Sequence, residues 1–151
     1  MRSLSVLLVA LTIGVPAQAA AVARVDDTGT VVSQPVVPMK WQTLVPGRGG
    51  NNTVEAQLHV ALRLNLGTWL NQPVRLYMVL PPGAGNSVQA RWRTQGRLLP
   101  GMMRSGGRAL VYEGVVAGRV LEETIELSLE TDGRTLTAPQ TMQFYFEVET
   151  R

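Results

Sequence analysis

The chain has 151 residues, with 14 Lys and Arg against 11 Asp and Glu, one histidine and no cysteine. A formal net charge of +3 makes no case for a nucleic-acid binder. The missing thiols exclude disulfides, thiol catalysis and thiolate metal sites.

Arg2, the apolar run from Leu4 to Val15 and the small-residue triplet Ala17-Gln18-Ala19 follow the pattern of a secretory signal peptide. Cleavage is expected after Ala19. The run is shorter than the roughly 20 apolar residues of a permanent span, so no stable membrane span is expected in the mature form. The implied address is the periplasm or cell surface of a Gram-negative bacterium. The remaining chain, about 130 residues, has the size of one ordinary domain and can bury a core without covalent staples.

Residues 20–40 read as an extended N-terminal segment. Asp26-Asp27-Thr28-Gly29 is turn chemistry, and Pro35 and Pro38 lack N–H donors. This stretch suits an edge strand or a flexible tail, not a central strand. The domain proper is expected over residues 41–151. Trp41, Leu44 and Val45 form its first anchor, and Pro46-Gly47 with Gly49-Gly50-Asn51-Asn52 makes a loop.

Val54, Ala56, Leu58, Val60, Leu62, Leu64 and Leu66 then recur at spacing two. A strand places all of them on one face, so a long half-buried strand is predicted. The alternation returns in Val74, Leu76, Met78 and Leu80, and again in Val88, Ala90, Trp92 and Thr94. Residues 100–107, with the adjacent Met102 and Met103, read as a mobile loop offering an adaptable contact. Ala109 to Tyr112 is a short apolar run. Leu121, Glu123, Ile125, Leu127 and Leu129 share one face of a further strand. Asp132-Gly133 is a type I′ hairpin signal leading into a strand over 134–137. Met142, Phe144, Phe146 and Val148 face inward on the last strand. Seven or so strands without a 3.6-residue period predict an all-β fold, a single antiparallel immunoglobulin-like β-sandwich. A closed barrel of similar size is the alternative.

No catalytic constellation emerges, and no cofactor or metal is expected. His59 falls on the solvent face, and Glu122, Glu126 and Glu130 read as a solvated strand face rather than a glycosidase pair. Arg91, Arg93, Arg97, Arg104, Arg108 and Arg119 crowd the middle, while Glu122, Glu123, Glu126, Glu130, Asp132, Glu147 and Glu149 crowd the end. Such groups either pair across neighbouring strands or make a two-ended module that docks on a complementary partner. Trp92 faces inward between Arg91 and Arg93, as a core residue. Trp69, in the connection from Leu66 to Pro73, is either an interaction anchor or a plug at one end of the fold. Trp69, Arg91, Arg93, Met102 and Met103 are the candidate partner surface.

A signal peptide, a short extended segment and one β domain closing on the alternating run from Met142 to Glu149 form a plan that resembles bacterial chaperone–usher fimbrial subunits. Many of those carry a disulfide pair and a tyrosine next to the C-terminus, and this chain has neither. The resemblance implies a non-catalytic subunit acting by β-strand addition, a neighbour's N-terminal extension completing an apolar groove. Val31, Val32, Val36 and Val37 are then the candidate donor residues, and the partners are other subunits or a periplasmic chaperone. The second reading is a self-contained periplasmic module that docks an envelope protein or small ligand. An enzyme working from the glutamate face ranks below both.

Overall fold

A computed structural model of the chain describes residues 20–34, 38–44, 49–83, 87–136 and 143–150. The leader with Ala19, the donor candidates Val36 and Val37, and Val45 and Met142 lie outside the described residues. Among these described residues ten strands follow in chain order: β1 (Val22–Arg24), β2 (Val31–Val32), β3 (Lys40–Trp41), β4 (Thr53–Asn65), β5 (Pro73–Val79), β6 (Gln89–Thr94), β7 (Gly101–Arg104), β8 (Arg108–Val115), β9 (Val120–Asp132) and β10 (Tyr145–Thr150). They form two antiparallel sheets. One runs β1-β10-β5-β8; the other runs β2-β4-β9-β6-β7, with β3 also pairing with β4. The predicted all-β sandwich is the fold, with ten strands rather than about seven. Four strands were not expected, β1, β2, β3 and β7, two to four residues each and too short to carry a legible alternation, while the one expected after Asp132-Gly133 is not among the ten.

Strands β4 and β9 are the spine. Each has 13 residues, and they pair in unbroken register from Thr53 opposite Asp132 to Asn65 opposite Val120. The spacing-two apolar set of β4 is buried from Val54 to Leu64 while its alternate positions stay half-buried or exposed. Across the sheet, Leu58 lies beside Leu127 and Leu127 beside Trp92. These residues meet Leu76, Met78, Phe146 and Val148 of the four-stranded sheet in one buried core. Period-two patterning on both sheets therefore accounts for the core directly.

The N-terminal segment ties the two sheets together. β1 pairs with β10, Val25 turns inward to 2% exposure, and Asp26 bridges to Asn65 at the end of β4. Asp26 accepts the Thr28 N–H at 3.0 Å; the Thr28 side chain first and this N–H second hold its carboxyl below the usual range, and Gly29 supplies the positive φ of the turn. β2 then lies antiparallel on β4, with Val31 opposite Ala61 and Val32 opposite Val60. The segment is thus an edge strand on both sheets.

Two local expectations give way. Asp132-Gly133 does not make a two-residue hairpin turn, and no strand forms over 134–136. Asp132 instead ends β9 and caps a short 3-10 turn (Gly133–Thr135), accepting the Arg134 N–H at 3.0 Å. Its carboxylate also holds the Arg134 guanidinium, so the turn closes on its own side chains. Residues 101–104 are not loop but strand β7, paired with β6 from Gly101 opposite Trp92 to Arg104 opposite Gln89.

Candidate functional site

The two outward faces treat their charges differently. On the four-stranded sheet, β5, β8 and β10 place Arg75, Glu113, Arg108, Glu147 and Glu149 side by side. Arg75 Nε meets Glu113 Oε1 at 3.1 Å, and Arg108 Nη2 meets Glu149 Oε2 at 2.8 Å. Arg108 also reaches Glu147 at 3.6 Å and lies 3.7 Å over the Tyr77 ring, while Arg24 covers Tyr145. The carboxylate beside it raises the Arg75 guanidinium further above its ordinary range. This face is neutralised by its own residues.

The six-stranded sheet is organised in rows by its register. His59 lies opposite Glu126, and Glu126 opposite Arg93; Gln57, Ser128, Arg91 and Met102 form the next row. Glu55, Glu130, Gln89 and Arg104 form the row after that. Glu126 turns to His59, at 3.8 Å, and Glu122 to Arg63, at 3.6 Å. Among the described residues no ion pair reaches Arg91, Arg93 or Arg104. They stand exposed along β6 and β7 beside Met102, which is 57% exposed. Glu55, His59, Arg91, Arg93, Glu126 and Glu130 line a shallow depression in this face.

Of the candidate partner surface, Arg91, Arg93 and Met102 come together here. Met103 does not belong to it. As the next residue of a strand it points to the opposite side, and it is 8% exposed in the core opposite Ala90. Trp69 is also elsewhere, in a short 3-10 turn (Gly67–Trp69) beyond the far end of β4. It is partly buried against the core. Of the donor candidates, Val31 and Val32 already have a partner strand, β4 of the same chain.

Sequence reasoning missed how the β6–β7 corner is held. Trp92 is 1% exposed, and its Nε1–H donates to the Leu99 carbonyl at 2.9 Å. Thr94 Oγ1 donates to Leu98 O at 2.6 Å. Glu123, from β9, accepts the backbone N–H groups of Arg97 and Leu98 on Oε2 at 2.8 and 3.2 Å, and its Oε1 is buried without a hydrogen-bond partner. The one available signal was Glu123 itself, an acid in an otherwise apolar inward set. These bonds fix the connection and so aim β7 and its Met102 and Arg104 side chains.

Among the described residues no group of three or more His, Asp and Glu side chains is placed to hold a metal ion, and no helix is long and apolar enough to cross a membrane. Comparison with protein-family models, curated proteins and solved structures returns no match. Fold and surface together define the class: a two-sheet antiparallel sandwich with one self-neutralised face and one carrying arginines that make no ion pair among the described residues.

Proposed function

We propose that the protein is a non-catalytic, exported binding module that docks a protein of the cell envelope through the β6–β7 side of its six-stranded sheet. One observation carries this reading. Arg75 and Arg108 are matched by carboxylates on one face, whereas Arg91, Arg93 and Arg104 on the other stand exposed without such pairing beside Met102. Unpaired arginines around an exposed apolar side chain suit recognition of an acidic partner, since charge complementarity sets specificity and on-rate. The signal-peptide pattern supplies the compartment. The test is capture of envelope proteins by the tagged protein at moderate salt, compared with an Arg91→Glu/Arg93→Glu variant of unchanged unfolding midpoint. Loss of the captured species in the variant supports the reading; equal capture overturns it.

A second reading, strand exchange of the pilus type, is favoured by the way residues 22–32 lie on the edges of both sheets. β1 and β2 make their pairings with β10 and β4 within the chain, and the same pairings made on a neighbour would join copies. Size exclusion of the exported protein decides it. Oligomers that revert to monomer on removal of residues 20–38 support exchange, and a monomer at all concentrations overturns it.

A further inference from the structure

We propose that His59 sets whether Arg93 is open to an acidic partner, because the two side chains share one carboxylate, that of Glu126. The inference rests on the docking reading above and adds to it a pH dependence of the same face.

Register creates the sharing. His59 lies opposite Glu126 in the β4–β9 ladder, and Glu126 lies opposite Arg93 in the β6–β9 ladder. Residues opposite one another on adjacent strands have Cβ atoms about 5 Å apart, so the middle member of such a row reaches either flank. The surrounding positions supply no second acid. On this face the residues before and after Glu126 in β9 are Thr124 and Ser128, and those around His59 in β4 are Gln57 and Ala61. Ser33, on the other flank, bonds the main chain of His59. Two rows away in one direction Glu122 meets Arg63; two rows away in the other, Glu55 lies between Glu130 and Lys40. Arg91 stands one row from Glu126 and equally one row from Glu130. Arg93 is therefore the arginine that depends on Glu126 alone.

In the structure Glu126 turns to the imidazole, with His59 Nε2 and Glu126 Oε1 at 3.8 Å, which is the arrangement of a charged histidine. The two side chains are 67% and 59% exposed, and with Arg93 they line one shallow cavity. A rotamer change of Glu126 thus moves it from one flank to the other without repacking. An imidazole changes charge between about pH 5 and 8. While His59 is charged it holds Glu126, and Arg93 is left for the partner. Once His59 is neutral it no longer competes, and Arg93 takes the carboxylate. Exposed ion pairs are weak, so the gain in docking at low pH is a modest factor, about two- to fivefold.

The test follows the purified protein by NMR from pH 5 to 8, at the His59 ring protons and the Arg93 guanidinium carbon. The expected result is an Arg93 signal that moves with the His59 titration and loses most of that movement in Glu126→Gln and in His59→Gln. Binding is read with a labelled acetyl-(Asp)8-amide peptide, whose carboxylates are charged at both pH 5.5 and pH 8.0. Arg93→Gln is expected to weaken the peptide about two- to fivefold more at pH 5.5 than at pH 8.0, and equally at both in a Glu126→Gln background. An Arg93 signal that ignores His59 overturns the inference, as does an Arg93→Gln loss that is the same at both pH values in the otherwise unchanged chain. Either result, with Arg91- and Arg93-dependent capture of an envelope protein intact, overturns this inference alone. Capture that ignores both arginines overturns the docking reading itself, whatever the Arg93 signal does.

Discussion

Trp92 rests on the one residue of its neighbouring strand that has no side chain. Gly101 lies opposite it in the β6–β7 ladder, and a Cβ built there would come within 2.6 Å of Trp92 Cζ2. The same indole donates to Leu99 O at 2.9 Å. One buried ring thus holds both the approach to β7 and its first residue, and with them the position of Met102 and Arg104.

Gly101→Ala forces a methyl into that contact. Overpacking of this kind costs about 1–3 kcal/mol, and the variant should unfold at correspondingly lower urea with altered Trp92 near-ultraviolet dichroism. Unchanged stability would mean that Trp92 and Gly101 are not packed together.

Glu123→Ala removes the acceptor of two backbone N–H groups, those of Arg97 and Leu98. A loss of about 1–3 kcal/mol is expected, with faster amide exchange at both residues. Glu123→Gln keeps one carbonyl oxygen and should recover part of the loss. Exchange at Arg97 and Leu98 that ignores both substitutions would remove the role assigned to Glu123.

Asp132 titrates far below an ordinary carboxyl, at about 2, because the Arg134 side chain and N–H bond its charged form. The folded value lies below the unfolded one, about 4. The contribution of this pair to stability is therefore present above about pH 4 and lost as pH falls toward 2. Carboxyl NMR should place the Asp132 midpoint near 2 and shift it upward in Arg134→Ala. A midpoint that stays put in the variant would show that Arg134 is not its cause.

Val25 is the single buried side chain of the N-terminal crossing between the sheets. Val25→Ala removes two buried methyls, about 2 kcal/mol with its cavity. Amide exchange at β1 and β2 should rise before that of β4 and β9. Equal exchange throughout would mean that the segment opens only with the whole domain.

The spacing-two runs determined most of the architecture from sequence alone. Thirteen-residue strands such as β4 have one inward set, and a two-sheet stack or a closed barrel buries several such sets at once; the strand pairing decides for the stack. Trp92 was legible as core, and His59, Arg91 and Arg93 as outward, for the same reason: in a strand the face follows from parity. Parity needs length, however. β1, β2, β3 and β7 have two to four residues, and what makes them strands is a neighbour's unpaired edge, which is a non-local fact. Asp132 similarly carried the chemistry of a hairpin turn, but its bond to Arg134 closed a different one.

Pairing of charges was the other matter left to the tertiary structure. The sequence placed a basic block before an acidic one without saying which members meet. The fold brings Arg108 to Glu147 and Glu149 across 39 and 41 residues and sends Glu126 to His59, leaving Arg91, Arg93 and Arg104 exposed. Coulomb attraction between exposed charges is weak in water and largely screened beyond about 8–10 Å at physiological salt, so strand order and register decide which charges are spent within the molecule and which remain for a partner.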